Sequence, residues 1–369
     1  DRSEFRPVIY LSHMEKHMRF NSRLGLLVIA FASLPMLANC SSATTIPDRS
    51  GASFAMHSPI SRGDGYPRAL LRMILPPRVA LPAGSPKHAR PWFGKAGASE
   101  NVLFLSDYDN NDITMFDVKT KAVLGVITAG LNYPAGLSTR DGKLYVANTI
   151  GENIAVFSAP YTNAPTTLDD SGNNPAGVHV DKAGNVWVAN IGSTTSTGQG
   201  NVVEYPTGSA QPRTLDMKGS CFYCSFVTTD AHGNVWVDGQ SGGHSILGYW
   251  THGQGRFHRV SVSFGIPGGI AFDKAGNLLL VDQQGDGYSS ELLMFPPHAS
   301  KPSKTYRLLV SDAVTIALGN SDRKLYASDA TEAIQPFFHF PNLQYAGQFV
   351  EPQGFIEVIG VATLPNSNP

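Results

Sequence analysis

Apolar and polar residues alternate in short runs between residues 102 and 364, and the runs recur as a phrase of about fourteen residues. The fullest copy covers 177–190, and 269–282 is nearly its twin. Weaker copies cover 136–148, 226–238 and 316–329, with a half copy at 102–107. Each copy holds an alternating apolar run, a D-x-x-G-N or D-G-K turn and a second apolar run. The pattern predicts pairs of antiparallel strands joined by tight turns.

The copies follow one another at intervals of about 40 to 50 residues, which is the length of one propeller blade. Third strands that end in an aromatic residue are predicted at 113–116, 154–157, 202–205, 246–249 and 292–295. Outer fourth strands are predicted near 123–127, 213–216, 259–262 and 305–309. The chain is therefore predicted to be all-β, a six-bladed β-propeller of four-stranded antiparallel blades.

The two ends of the array complement each other. The first copy lacks an inner strand, whereas 358–365 has the inner-strand pattern with no second strand after it. We expect this C-terminal strand to complete the first blade and close the ring, which removes open sheet edges. A rival inner strand at 81–85 is disfavoured by Pro82, Pro86 and Pro91.

The residues before the array divide into two further regions. Residues 1–40 are interpreted as residues upstream of the true start followed by a signal segment. Translation would begin at Met14 or Met18. A basic head and an apolar run at 24–37 then follow, which is typical of a secretory signal. Cys40 ends a segment that resembles a bacterial lipobox, from which Asn39 departs. Lipidation at Cys40, export without a lipid and a retained anchor are the alternatives. Residues 41–100 are predicted as a flexible linker and 101–365 as the propeller.

The amino-acid composition and charge of the chain limit the classes of partner that it could bind. The chain has 37 Gly and 25 Pro, which suits short strands joined by turns, and its 28 Lys and Arg against 29 Asp and Glu offer no basic field for nucleic acid. We expect an exported monomer in the periplasm or outer cell envelope, bound to the membrane only if a lipid anchors it. Its expected partner is a protein, glycan or small molecule at a propeller face.

Cysteine spacing offers one structural prediction. If Cys40 is lipidated, Cys221 and Cys224 remain, and their C-x-x-C spacing allows a small disulfide. A redox centre lacks the βαβ context, and a zinc site lacks a second ligand pair.

On the motif G-x-x-x-D-x-x-G-N-x-W-V-A-[DN] at 177–190, the chain resembles the NHL and YVTN β-propellers, and more loosely the gluconolactonase-like and streptogramin-lyase-like six-bladed proteins. The resemblance covers 102–364 and implies the propeller fold. Gluconolactonase-like propellers hold a central divalent metal that polarises a lactone carbonyl, so the resemblance also implies that Ca²⁺ or another divalent cation could bind here.

Loops that lead into the first strands should gather on one face, around the central opening. Ligand-binding candidates in these loops are Asn132, Tyr133, Asn174, Tyr223 and Asp312. A second set follows the second strands: Asp107, Asn148, Asn190, Asp238, Asp282 and Asp329. This set is either a ring of oxygen ligands for a hard cation or a series of side chains that cap their own turns.

Residues that depart from the repeat are the catalytic candidates. His244, Asp286 and Glu357 could supply general acid–base chemistry, while a solvated loop residue is the alternative for His244. Trp187 and Trp236 occupy equivalent positions and are expected to pack between blades. No serine-nucleophile, metalloprotease or nucleotide motif appears in a supporting context. The leading hypothesis is an exported binding or scaffold module at the cell envelope. The alternative is a divalent-metal-dependent lactonase or lyase that works in the central funnel.

Overall fold

The described part of the chain is built entirely from short strands and their connections. The computed structural model describes residues 92–93, 101–194, 198–285, 289–308, 310–319, 321–331, 334–351 and 354–365. Cys40, Asp286 and the predicted signal segment lie outside these residues. Within the described ranges, no helix is long and apolar enough to cross a membrane.

The strands that precede residue 215 belong to the first three blades. They are β1 (Trp92–Phe93), β2 (Val102–Asp107), β3 (Asp112–Asp117), β4 (Val123–Ile127), β5 (Pro134–Arg140), β6 (Lys143–Asn148), β7 (Asn153–Ser158), β8 (Thr166–Asp169), β9 (Asn173–Val180), β10 (Val186–Ser193), β11 (Asn201–Tyr205) and β12 (Arg213–Thr214).

The remaining strands form the other three blades and close the ring. They are β13 (Tyr223–Thr229), β14 (Val235–Ser241), β15 (His244–Thr251), β16 (Gln254–Arg259), β17 (Pro267–Phe272), β18 (Leu278–Asp282), β19 (Glu291–Phe295), β20 (Lys304–Arg307), β21 (Ile316–Leu318), β22 (Lys324–Ala327), β23 (Gln335–His339), β24 (Gln344–Phe349) and β25 (Val358–Leu364).

These strands form six sheets, each an antiparallel meander, and the six-bladed propeller prediction is confirmed. The predicted ring closure is also confirmed, because β25 pairs with β2 and becomes the inner strand of blade 1. Blades 2 to 6 then begin at β5, β9, β13, β17 and β21. Blade 1 carries a fifth strand, since β1 pairs with the outer strand β4. Two residues of the predicted linker thus join the sheet of the first blade.

The turns between first and second strands form as the sequence motif predicts. In three blades an Asp carboxylate accepts the backbone N–H of the Asn four residues later, as in Asp181 with Asn185 at 2.9 Å. A glycine precedes each of those Asn residues with a positive φ, +84° at Gly184, a backbone conformation that favours glycine.

The outer strand of blade 4 does not lie where the sequence pattern predicts it. We expected it at 259–262, but β16 covers Gln254–Arg259. The connection from β15 consists only of His252 and Gly253, so the chain turns back at once and pairs early. This shift places Arg256 and His258 beside the third strand, where the repeat alone gave no reason to expect them.

The core lies between neighbouring blades and along the axis. Apolar side chains from the facing sheets pack in clusters, such as Trp187, Leu215 and Val235 between blades 3 and 4. The axis itself is almost filled: a cavity of about 60 Å³ is lined by all six inner strands. Such a cavity holds a few water molecules and excludes an organic substrate.

Candidate functional site

The propeller has two faces of different composition. We call the face that carries the loops into the first strands the entry face, and the opposite face, with the D-x-x-G-N turns, the turn face. The described acids of the entry face are Asp107, Asp109, Asp112, Glu152, Asp169, Asp170, Asp216, Asp238, Asp282, Glu291, Asp312, Asp329, Glu351 and Glu357. The described bases of the turn face are Lys119, Lys121, Arg140, Lys143, Lys182, Arg213, Arg256, Lys274, Lys301, Lys304, Arg323 and Lys324. The turn face also carries Asp117, Asp141, Asp181, Asp230, Asp273 and Asp322, and the entry face carries Lys218 and Arg307, so the separation of charge along the axis is partial.

The six metal candidates are buried toward the entry-face side of the second strands, and five of them bind the entry loop or first strand of their own blade. Asp282 accepts the backbone N–H groups of Gly265 at 2.7 Å and Ile266 at 3.1 Å. Asn148 accepts that of Asn132 at 2.6 Å. Asp107, Asp238 and Asp329 bind Ile356, Phe226 and Ser311 in the same way.

Local strand geometry explains these bonds. In blades 1 to 5, the pairing of the first and second strands shifts register near the entry face, as between Pro134 and Leu137. Such a shift lifts the start of the first strand off its neighbour and leaves its N–H groups without ladder partners. The Asp and Asn oxygens supply the missing acceptors, because buried N–H groups must be paired.

Asn190 departs from this arrangement. Its side-chain nitrogen donates to the side-chain oxygen of Asn201 at 2.8 Å.

Asp282 also accepts from the backbone N–H groups of Gln284 and Gly285 at 3.1 Å, so it caps its own turn as well. Oxygens that face N–H donors do not fit a central cation. In the described ranges no group of three or more His, Cys, Asp and Glu side chains is arranged to hold a metal ion. Metal binding by the six residues stays a prediction.

The catalytic candidates do not come together. His244 is exposed in the hairpin turn of blade 4, beside Gly242 and Gly243. Glu357 is buried at the end of the loop into blade 1, on the opposite side of the six-bladed ring. Asp286 lies outside the described residues, so its part in any pair stays a prediction.

The ligand-binding candidates are spread around the entry face. Asn132 is exposed, Tyr133, Asn174 and Tyr223 are partly buried, and Asp312 is buried. The ring of Tyr133 contacts that of Tyr108 edge to face, with centroids 4.8 Å apart. Each of the other three candidates lies on a different blade. None of the five lines the cavity on the axis.

Several buried carboxyls of the entry face hold protons more tightly than usual. Burial, with Asp107 and Glu351 nearby, raises the pKa of Asp112 to about 8. Burial and the charge of Asp329 raise the pKa of Asp312 to about 7. Burial in an apolar setting penalises the charged form, so these carboxyls are partly protonated near neutral pH.

Cys221 and Cys224 form a disulfide with sulfur atoms 2.03 Å apart. Both residues are buried in the cluster between blades 3 and 4, next to Trp187 and Val227. The bond joins the entry loop of blade 4 to the beginning of β13. Its surroundings are those of a structural crosslink, because the sulfur atoms have no exposed surface on which to exchange.

A large cavity lies between blades 4 and 5 and opens on the turn face. We call it the blade 4–5 cleft; it measures about 930 Å³. Its apolar lining includes Trp236, Leu247, Phe272, Leu278 and Phe295. Basic and imidazole side chains also line it: His232, Arg256, His258, Arg259, Lys274 and His298. Sequence reasoning missed this cleft, since its outer strand and its long loop at 296–303 lie outside the repeated phrase.

A row of stacked rings crosses blade 4 at the cleft wall. The Trp236 and Tyr249 centroids are 4.7 Å apart, and those of Tyr249 and His258 are 5.1 Å apart. The three residues are cross-strand partners on β14, β15 and β16. Rings that stack at the spacing of adjacent strands stand upright on the sheet and present their edges to the cleft.

Trp187 and Trp236 show why the interface between blades 3 and 4 is closed while that between blades 4 and 5 is open. Each indole N–H donates to the Asp of its own turn, Asp181 at 2.9 Å and Asp230 at 3.0 Å. Trp187 is only 3% exposed because Gly253, in the short turn of blade 4, lies against its ring. Trp236 remains partly exposed, since the corresponding loop of blade 5 is longer and lines the cleft. Packing between blades is therefore complete for Trp187 and incomplete for Trp236.

Comparisons with known proteins support the fold. No protein-family model matches the chain. A search of the curated proteins also finds no match. Among solved structures, a chain of the nidogen/laminin complex is 17% identical with a TM-score of 0.57, over 73% of this chain and 100% of that one. A protein of unknown function from Bacteroides caccae is 12% identical with a TM-score of 0.55, over 72% and 98%.

A further similar structure is a catalytically inactive virginiamycin B lyase from Staphylococcus aureus with quinupristin. It is 12% identical with a TM-score of 0.48, over 70% of this chain and 88% of that one. At these identities the likeness is one of fold. The predicted resemblance to six-bladed propellers of these kinds is confirmed at that level.

Proposed function

We propose that this chain is an exported β-propeller that binds another protein at the bacterial cell envelope, with Cys40 as the point of lipid attachment. The fold is that of a β-propeller, and the proposal concerns what this propeller binds. The observation that carries it is the blade 4–5 cleft, which combines apolar lining with cationic side chains in an open depression of about 930 Å³. Concave surfaces of this kind are the usual places for ligands.

The openness of the cleft and the excess of bases around it favour a protein partner. Its volume of about 930 Å³ lies within the range for small-molecule sites, about 300 to 1,000 Å³, so size does not separate the two kinds of ligand. It opens on a face whose other described bases extend the positive surface beyond the cleft walls. The nidogen/laminin structure, in which a propeller of similar fold takes part in a protein complex, adds support by analogy.

Photo-crosslinking of the full chain tests this function. Benzoylphenylalanine would replace Arg256 or His298 at the cleft, and Asn132 or His244 on the entry face, in cells of the organism that encodes the protein. We expect light-dependent adducts of discrete mass at positions 256 and 298. Absence of adducts at all four positions would contradict a protein-binding function.

Export has its own test. Mass spectrometry of the purified protein would identify its N-terminal residue and any lipid on Cys40. A chain that begins at Cys40 and carries acyl groups supports the proposal. Recovery from the cytosol alone, with residues before Cys40 still attached, would contradict it.

One observation favours a second candidate, the metal-dependent lactonase or lyase. The pKa values of Asp112 and Asp312, about 8 and about 7, suit general acid–base catalysis near neutral pH. Thermal melts in EDTA and then in excess Ca²⁺, Mg²⁺ or Zn²⁺ test this candidate. It requires a midpoint that rises with ion concentration, because binding to the folded state stabilises it. An unchanged midpoint with all three ions would exclude the metal site.

A further inference from the structure

We propose that the blade 4–5 cleft binds an acidic peptide segment of the partner through one or more apolar side chains seated between the blades. This inference rests on the proposed function and names the site and the chemistry of the ligand. It assigns the turn face, and not the acid-rich entry face, as the recognition surface.

Charge at the cleft favours an anionic ligand. Arg256 and Arg259 are exposed on the outer strand β16, and neither forms an ion pair with any described residue. The carboxylates of Asp230 and Asp273, which also line the cleft, are already engaged. Both oxygens of each accept turn N–H or Asn side-chain donors at 2.7 to 3.0 Å. These donors are neutral and leave both carboxylates charged, but the three cations Arg256, Arg259 and Lys274 outnumber them, and the two guanidinium groups are exposed.

The cleft offers exposed neutral hydrogen-bonding groups at Ser261 and Ser300, but those of Asn234 and Trp236 are already engaged. Asn234 donates its side-chain N–H to Asp230 at 2.8 Å, and the Trp236 indole donates to the same carboxylate. A glycan needs donors and acceptors for its hydroxyls and an open ring face on which to stack. The stacked faces of Trp236 and Tyr249 cover each other, which leaves little open ring face on which a sugar could stack.

Apolar surface at the cleft is better suited to peptide side chains. Trp236 and Val260 are partly exposed above the buried cluster that contains Phe272 and Phe295. Apolar anchors that enter such a depression bury surface from water, and surrounding charges select the sequence. The opening is shared by two blades and is not enclosed, which suits a segment of chain more than a lipid tail.

Two variants test the site, each with a matched control. The charge reversal Arg256→Glu with Arg259→Glu is paired with Lys119→Glu and Lys182→Glu, which lie on the same face but outside the cleft. The blocking substitution Ala275→Trp is paired with Ala183→Trp. Both alanines are exposed at the same position of a D-K-A-G-N turn, in blades 5 and 3.

The experiment is selection of random dodecapeptides displayed on phage against the full chain. Selected peptides would then be synthesised with fluorescein and titrated by anisotropy. We expect peptides rich in Asp and Glu around an aromatic or large aliphatic residue. Cleft variants should weaken binding by at least about tenfold, whereas control variants should stay within about twofold of the wild type. Circular dichroism melts would confirm that all four variants fold.

Three kinds of result would overturn the inference, and each excludes a different part of it. Neutral or basic peptides, or binding that the cleft variants leave unchanged, would remove the cleft while the binding function stands. Failure of selection together with absence of photo-crosslinks would remove both. A heparin-derived hexasaccharide or phosphatidylglycerol vesicles serve as alternative probes. Tighter binding of either one than of any peptide, lost in the Arg256→Glu, Arg259→Glu variant, would assign the cleft to a glycan or a membrane instead.

Discussion

The carboxylate of Asp107 accepts the backbone N–H of Ile356 at 2.7 Å, across a separation of 249 residues. It also accepts the N–H of Glu357 at 3.1 Å, so one side chain holds the last entry loop against the first complete strand of the ring. The same carboxylate position recurs in other blades, which gives the repeated Asp and Asn residues a structural role. Blade 1 is special because this contact joins the two ends of the propeller.

Replacement of Asp107 should weaken ring closure. Asp107→Ala leaves the backbone N–H groups of Ile356, Glu357 and Asn110 without this acceptor, and we expect the free energy of unfolding to fall by about 3 kcal/mol. Asp107→Asn keeps one oxygen and should cost about half as much. Urea denaturation followed by tryptophan fluorescence measures both. The exposed Asp216→Ala is the control, and an equal loss in that variant would contradict a specific role for Asp107.

The buried acids of the entry face make stability depend on pH. The pKa of Asp112 is about 8 in the folded chain and 3.8 without the fold. The folded state therefore retains a proton that the unfolded chain releases, and stability falls as pH rises from 3.8 to 8. Asp312 and Asp170, with pKa values raised by burial to about 7 and about 6, act in the same direction. His179 opposes them only below pH 6.5, because burial lowers its pKa to about 4.

The interval from pH 6.5 to 8 is thus governed by the acids alone. We expect the free energy of unfolding to fall across it by up to about 1.4 kcal/mol per pH unit for each acid that titrates. Asp112→Asn should flatten this slope, and Asp141→Asn, on an exposed turn, should not. Urea melts at several pH values measure the slopes. A slope unchanged by Asp112→Asn would contradict the raised pKa of that carboxyl.

The disulfide should contribute modestly to stability, since it closes a very short loop. The loop-entropy relation gives about 2 kcal/mol for a crosslink between Cys221 and Cys224. The double substitution to Ala should lower the free energy of unfolding by that amount and abolish the effect of dithiothreitol on the melting midpoint. If dithiothreitol lowered the melting midpoint equally in the wild type and the double variant, the reductant would not be acting on the Cys221–Cys224 disulfide.

Repetition made the fold predictable. The phrase at 177–190 contains both strands of a hairpin and its turn, so six copies and one unpaired C-terminal run were enough to predict blades and ring closure. The Asp and Asn residues at the strand ends were also identified. Their bonds to the entry loops were not, because the register shift that exposes those N–H groups has no signature in the sequence.

The blade 4–5 cleft could not be predicted from the repeat, because it depends on a departure from the repeated pattern. It depends on where one blade departs from its neighbours: an early outer strand at Gln254–Arg259 and a longer loop in blade 5. The equivalent positions of Trp187 and Trp236 predicted equal packing. Their difference comes from residues around Gly253 that are distant from both in sequence.

The difference in solvent exposure between Trp187 and Trp236 can be measured in solution. Trp236 is partly exposed, whereas Trp187 and Trp250 are buried, at 3% and 0% exposure. Trp236→Phe should therefore remove more of the acrylamide-accessible fluorescence than Trp187→Phe or Trp250→Phe does. If Trp187→Phe caused the larger loss, the interface between blades 3 and 4 would be the open one.

Hydrogen–deuterium exchange of the full chain, with and without its tightest-binding selected peptide, tests the central claim most directly. We predict slower exchange in β16 and in the 296–300 loop, which border the cleft. The entry-face loops at 130–133 and 310–315 should exchange at the same rate with and without the peptide. Protection of those loops, with none at β16, would contradict the assignment of the blade 4–5 cleft as the binding site.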